Sequence, residues 1–439
     1  MVARALPIAA ALAVTLLAAG TGCEKTNAEN LDKWMNTEKG PGKLKAAFTD
    51  GDLTPEMSAH AGTNMLRMSP SMEPDVRAGL DQMNPARRAE VVAAMAPRLW
   101  DIARIEQEDK YPRGGPKVIA KDALFMLRAY ADEPTRQKID GYLIDWLAVM
   151  SYEDRAAQGT FSGSVIMRAV GAPGGKRLIN VLNGIIAAPG QDTKKARIGN
   201  ELLTGMAASG NPDCVKYILQ VTKMNRGDTT LPRRAMTALH EAYINPGQQA
   251  FEVQRPDAII ANLDGLVALA KDTAVAAEIN DFAIELISHT GPEHCRTPLA
   301  GIIASPHYKD RFKYVVGAAA LRCGGAKGIV EVVSAFPDAG AYAKEDLNTS
   351  ITAEITRLGP KDQVLAALRE LLGSKSTIAR WVAIEALLAL KSTEDAPKIA
   401  ALDKVKDKLV GFWGDNPERK PDPSLGERAR QAAAELSGK

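Results

Sequence analysis

A short Gly/Pro turn recurs along this chain and limits what it can fold into. It appears as "DEP" at Asp132, "GAP" at Gly171, "GNP" at Gly210, "NPG" at Asn245, "GP" at Gly291, "GG" at Gly324 and "GP" at Gly359. Pro134, Pro173 and Pro212 stand 39 residues apart, and the later turns follow at 33 to 35 residues with one longer gap around "QQAFEVQRP". Proline suits the first helical turn, where its missing N–H has no partner to lose, and glycine suits the place just past a helix end. Each marker therefore reads as a tight turn between two helices, and a repeated period of this size is the mark of stacked units.

The segments between the turns carry the matching pattern. After Gly359-Pro360, Val364, Leu365, Leu368, Leu371 and Leu372 share one face at helical spacing, and before it Leu347, Ile351, Ile355 and Leu358 form a second stripe. Leu178, Val181, Leu182, Ile185 and Ile186 repeat the design after Gly171. One such pair cannot bury its apolar face alone, so neighbouring pairs must stack around a continuous core. Composition agrees: the chain is 46% hydrophobic but 5% aromatic, and sustained β-branched runs are few. The fold expected is all-α, an α-α superhelix or solenoid of antiparallel helix pairs over residues 31–412. A Pro-rich charged linker follows at 413–423, and a closing helix at 424–439. Residues 31–68 read as two helices forming an N-terminal cap, with Trp34 covering the end of the core.

Several first helices carry an Arg followed by a small residue and an apolar run, in "KKARIGNELLTGM", "LPRRAMTALHEAY", "TIARWVAIEALLAL" and "GERARQAAAEL". In this the chain resembles the HEAT and HEAT-like (armadillo-type) repeat family. The resemblance implies that Arg197, Arg234 and Arg380 pair with acidic groups or carbonyls in neighbouring turns, a structural role.

The N terminus carries a different signal. "ALPIAAALAVTLLAAG", with Arg4 before it, has the length of an export h-region and falls short of the roughly 20 apolar residues a spanning helix needs. The stretch "LLAAGTGCEK" resembles the lipobox of bacterial lipoproteins, with Gly22 and Cys23 in place and Gly20 where the family prefers Leu. The resemblance implies removal of residues 1–22 and acylation of Cys23. Ordinary signal cleavage near Gly22, leaving a free thiol, is the alternative. The tether 23–30 spans at most about 28 Å when extended, so the folded part is expected close to the surface of an envelope membrane.

Removing Arg4 leaves 54 basic against 53 acidic residues. That balance gives no basic excess for phosphate recognition, so nucleic acid is not an expected partner. Cys214, Cys295 and Cys323 remain in the mature body. Cys295 begins one second helix and Cys323 ends the next first helix, which places both on the same edge of adjacent pairs. A Cys295–Cys323 disulfide is expected if the compartment is oxidising and the Cα atoms lie within about 7 Å. The alternative is a pair of buried thiols.

His289 and His294, beside Cys295 and with Cys323, make a weak candidate zinc set that no CxxC or HExxH spacing supports. "GAPGGKR" departs from a phosphate-binding loop, since three residues separate Gly171 from Gly175 and Arg177 stands where Ser or Thr is needed. His60, His240 and His307 are isolated. Glu106/Glu108 and Glu24/Glu30 sit in charged, solvated stretches, and Lys194 and Arg233 belong to basic pairs that read as a solvated face or a stripe toward anionic lipid. No catalytic set and no cofactor motif emerges. The expectation is a non-enzymatic interaction scaffold for an envelope protein; an enzyme or enzyme subunit of a lyase-like HEAT type, or a structural envelope component, are the alternatives.

Overall fold

The computed structural model describes residues 25–104, 115–150, 159–187, 200–223, 230–245, 253–305, 310–338, 347–408 and 423–438. The export segment, Cys23, Glu24, Glu106, Glu108, Lys194, Arg197, His307 and most of the linker lie outside them. Among the described residues every regular element is a helix. The chain is all-α, built of stacked helix pairs. It falls into two compact units, one taking in described residues up to Trp146 together with 159–161, the other taking in the rest from Leu147. That boundary lies inside the 31–412 segment.

In the first unit, residues 28–68 form three helices where the sequence reads two: Ala28–Trp34, Gly40–Thr49 and Pro55–Met68. The extra break has a local cause. "DGDLTP" places Thr54 as an N-cap accepting from the Met57 N–H, with Pro55 in the first turn. Pro55–Met68 is the centre of the unit, packed against Gly40–Thr49, Pro85–Ala103, Ala28–Trp34 and Pro116–Leu127. Small residues on its surface, Ala59, Ala61 and Gly62, let these neighbours close in. The ring of Phe48 is held between Gly62 and Gly79, where a Cβ at either position would come within 2.6 Å of a ring carbon. Arg87 closes one side by donating to the carbonyls of Asp50 and Leu53 and to Ser58 Oγ. Trp34 is buried against the same assembly, with the Lys43 ammonium 5.1 Å from its ring centre.

In the second unit, successive first helices pack side by side: Gly163–Val170 on Asn200–Ala208, that on Thr230–Tyr243, and that on Ala277–Ser288. Second helices form a parallel row, with Ala172–Ala187 on Pro212–Val221, then Leu263–Ala270, then Pro292–Ile303. Asp310–Ser334 serves as both members of a pair, because Gly325 at φ 58° breaks it in the middle. Lys361–Leu372, Thr377–Ala389 and Leu425–Leu436 continue the stack. Between the rows runs a core of Leu202, Met206, Met236, Leu239, Ile284, Ile287, Val382 and Leu387, all at most 2% exposed. Each contributes on the order of 1.5–3 kcal/mol when fully buried. The stripe read from 347 to 358 is buried at Leu347, Ile351 and Ile355, but it winds as a π-helical stretch, Leu347–Thr352, before the α-helical Ala353–Arg357.

The Phe48 contact yields a direct test. Gly62→Ala should cost about 1–3 kcal/mol in urea unfolding, the usual range for overpacking. Gly42→Ala, where nothing lies within 4 Å, should be neutral or stabilise by up to about 1 kcal/mol through helix propensity. Equal effects at the two positions would contradict the packing described.

Candidate functional site

The chemistry of the second unit concentrates along the edge where each first helix turns into its second. Gly171, Gly210 and Gly291 occupy these turns at φ 77°, 67° and 90°, a region that disfavours any side chain. Side-chain amides tie one turn to the one before it. Asn211 Nδ2 donates to the Ala172 carbonyl at 2.8 Å, Gln254 Nε2 to Ala208 at 2.6 Å and Asn262 Nδ2 to Pro212 at 2.9 Å. Ala208 closes Asn200–Ala208, so its carbonyl is one that a helix end leaves without an intrahelical partner, whereas Ala172 and Pro212 open their helices and take a second bond there.

Further along the same edge, Cys295 and Cys323 are joined, with Cα atoms 6.5 Å apart and a sequence separation of 28. Cys295 lies in Pro292–Ile303 and Cys323 just before the Gly325 break, so the bond links one pair to the next. Thr297 Oγ1 donates to Glu331 Oε1 at 2.8 Å across the same two helices. With both sulfurs in the bond, neither is a thiolate, and the candidate zinc set of His289, His294, Cys295 and Cys323 does not form in this structure. His289 Nδ1 lies 2.9 Å from the Glu285 carbonyl, and His294 is exposed. Among the described residues no group of three or more His, Cys, Asp or Glu side chains is placed to hold a metal.

The edge also carries a buried polar cluster that the sequence does not announce. Cys214 is fully buried, and burial pushes its thiol up to about 11 against the opposing effect of a hydrogen bond with Ser209. Tyr243, 5% exposed, has its phenol raised first by burial and then by Cys214, with Arg168 acting the other way. The Tyr243 hydroxyl is buried without a hydrogen-bond partner. Gly175 makes room for the cluster, since a Cβ there would sit 2.7 Å from Cys214 Sγ. A thiol so raised is protonated at neutral pH and is a poor nucleophile. Arg168, Cys214 and Tyr243 come from three successive pairs, and no local spacing in the sequence marks them as neighbours.

The arginines divide by position. Arg380 Nη2 donates to Asp407 Oδ2 at 3.0 Å and to the Lys375 carbonyl at 3.3 Å. In "LPRRAM" it is Arg233 that reaches the next pair, 3.1 Å from Glu278, so the basic pair there is engaged with an acidic partner. Arg428 forms a fork on buried Glu385, at 2.6 and 3.0 Å. Arg369 does the same on Asp395, which is 1% exposed, at 2.8 and 2.9 Å, and also pairs with Glu394. Burial works to raise the Asp395 carboxyl, but the bonds from Arg369 and Ser392 and the guanidinium charge hold it below the ordinary value of 3.8. Two isolated histidines are also paired with carboxylates, His60 with Asp32 at 2.6 Å and His240 with Glu285 at 3.3 Å.

No family model matches the chain, and no curated protein matches it. Among solved structures, the chain is similar to Kap121p in the crystal structure of Kap121p bound to Ste12p. The similarity has a TM-score of 0.27 and 11% identity, covering 94% of this chain and 42% of that one. The chain thus spans less than half the length of that protein.

Two outcomes follow from the edge and the arginines. Peptide mapping of native protein should recover Cys295 and Cys323 as one linked peptide and find Cys214 alkylated only after unfolding. Reduction should cost about 3.6 kcal/mol by the loop-entropy relation for a separation of 28 residues, and prompt alkylation of native Cys214 would contradict the buried cluster. Arg369→Ala, leaving Asp395 buried without its fork, should cost about 2 kcal/mol. Because the Asp395 value is depressed on folding, its contribution is complete above about pH 4 and is lost as pH falls through the lower folded value. The difference between wild type and Arg369→Ala should therefore be constant from pH 5 to 8 and shrink below 4.

Proposed function

We propose that this chain is a lipid-anchored, non-enzymatic interaction scaffold of the bacterial cell envelope, held by Cys23 and presenting its helix stack to a protein partner. The observation that carries this reading is the use of charge in the second unit. Arg233, Arg369, Arg380 and Arg428 are spent on joining helices within or between successive pairs, the work of a rigid array. Stacked pairs of this kind offer extended surfaces without a moving part. The step from architecture to binding is an analogy, because one fold hosts many activities.

The address rests on two supports. "LLAAGTGCEK" has the form of a lipoprotein processing site, and the Cys295–Cys323 bond suits an oxidising compartment outside the cytosol. More than one acyl chain on Cys23 gives stable anchoring without a spanning helix, at roughly 0.8 kcal/mol per buried methylene. Among the described residues no helix is long and apolar enough to cross a membrane.

Crosslinking in intact cells tests the reading. A tagged full-length protein should capture a small stoichiometric set of envelope proteins, lost with Cys23→Ala. Capture of nothing above background, with the protein fractionating away from membranes, would remove both the partner and the anchor.

A further inference from the structure

Buried in the first unit is a set of hydrogen-bond donors that lacks an acceptor. Pro116–Leu127 begins at Gly115, which has no side chain to cap it, and no side-chain hydrogen bond covers its first turn. Pro116 has no N–H, so the donors open at this end are the amides of Lys117 and Val118. Lys117 is 4% exposed, and its ammonium is buried without a hydrogen-bond partner. Side chains on a helix lean toward its N terminus, which carries the Lys117 ammonium to the uncapped turn. One turn further on, Lys121 is fully buried but satisfied, donating to the Phe161 carbonyl at 2.5 Å and pairing with Asp122 Oδ1 at 2.6 Å. Its ammonium lies 5.3 Å from the ring centre of Trp146, whose indole Nε1 is also buried without a partner.

The contrast between the two lysines decides the chemistry. Lys121 has its counter-charge in Asp122, and Asp122 is further held by the Thr160 and Phe161 amides. Lys117, on the same face at i−4, has none. An ammonium left in a low-dielectric interior without a partner costs several kcal/mol. The ammonium and the helix-end amides are donors and accept nothing. Such a set is completed by a species that only accepts, and a helix N terminus favours one that is negative. Donors arriving from a side chain and from the backbone match more than one oxygen of a tetrahedral anion.

We infer that the first unit holds a small free oxyanion of the phosphate or sulfate class, bound by Lys117 with the first-turn amides of Pro116–Leu127. A headgroup fixed in a bilayer does not reach an atom this deeply buried, so the ligand is a free anion that enters as the unit breathes. This site is independent of the scaffold reading.

The test uses purified full-length protein, dialysed free of phosphate and sulfate, with inorganic phosphate as the probe at constant ionic strength. Calorimetry should find one saturable site, and the melting temperature should rise with phosphate. Lys117→Met keeps the volume and removes the charge; it should melt at or above wild type without phosphate and show no phosphate-dependent rise. Lys117→Arg, which keeps a cation at the site, should retain a phosphate-dependent rise and guards against misfolding of the first variant. Absence of a saturable phosphate site in wild type, or equal binding by wild type and a folded Lys117→Met, would overturn the inference.

Discussion

A helical hairpin has one apolar face and nothing of its own to cover it. Everything in the second unit follows from that constraint. Each pair is stable only against its neighbours, so the sequence spends its specific interactions on joints between pairs. The amide bonds from Asn211, Gln254 and Asn262 fix one turn upon another at 2.6–2.9 Å. The Cys295–Cys323 bond performs the same joining covalently. Turn glycines at positive φ allow the chain to reverse within one residue, which keeps the two rows of helices close enough to share a core.

The same constraint explains where the charges went. A carboxylate inside a stack is costly unless a guanidinium meets it squarely, and the forks of Arg369 on Asp395 and Arg428 on Glu385 supply that geometry. For Asp395 that fork holds the carboxyl below its ordinary value. Cys214 is removed from chemistry by the opposite route, burial without a base to activate it. In the first unit, among the described residues, Lys117 is a buried charge whose balance is left open.

Much of the architecture was legible in the chain itself because turns are local. Gly171, Gly210 and Gly291 announce their turns through backbone geometry that few other residues accept, and the stripes at 364–372 and 178–182 follow the helical period directly. The edge shared by Cys295 and Cys323 could be placed from the same turns. Long-range neighbours could not. Arg168, Cys214 and Tyr243 meet only because three pairs stack, and Lys121 meets the Phe161 carbonyl across 40 residues with no periodic cue. The N-terminal region was divided one helix too few, since the structure breaks it both after Trp34 and after Thr49, the second break ending at the Thr54 cap ahead of Pro55. Arg233, rather than Arg234, makes the inter-pair bond because rotation about the helix, which sequence gives only to within a residue, selects which of two adjacent arginines faces Glu278.

On the proposed scaffold reading, a partner on the surface of the second unit touches several pairs at once. Hydrogen exchange measures this directly, comparing full-length protein in native membranes with the Cys23→Ala protein purified in solution. The account predicts added protection, in membranes, at exposed positions of several successive helix pairs of the second unit, with the buried core unchanged. An identical exchange pattern in the two settings would contradict it.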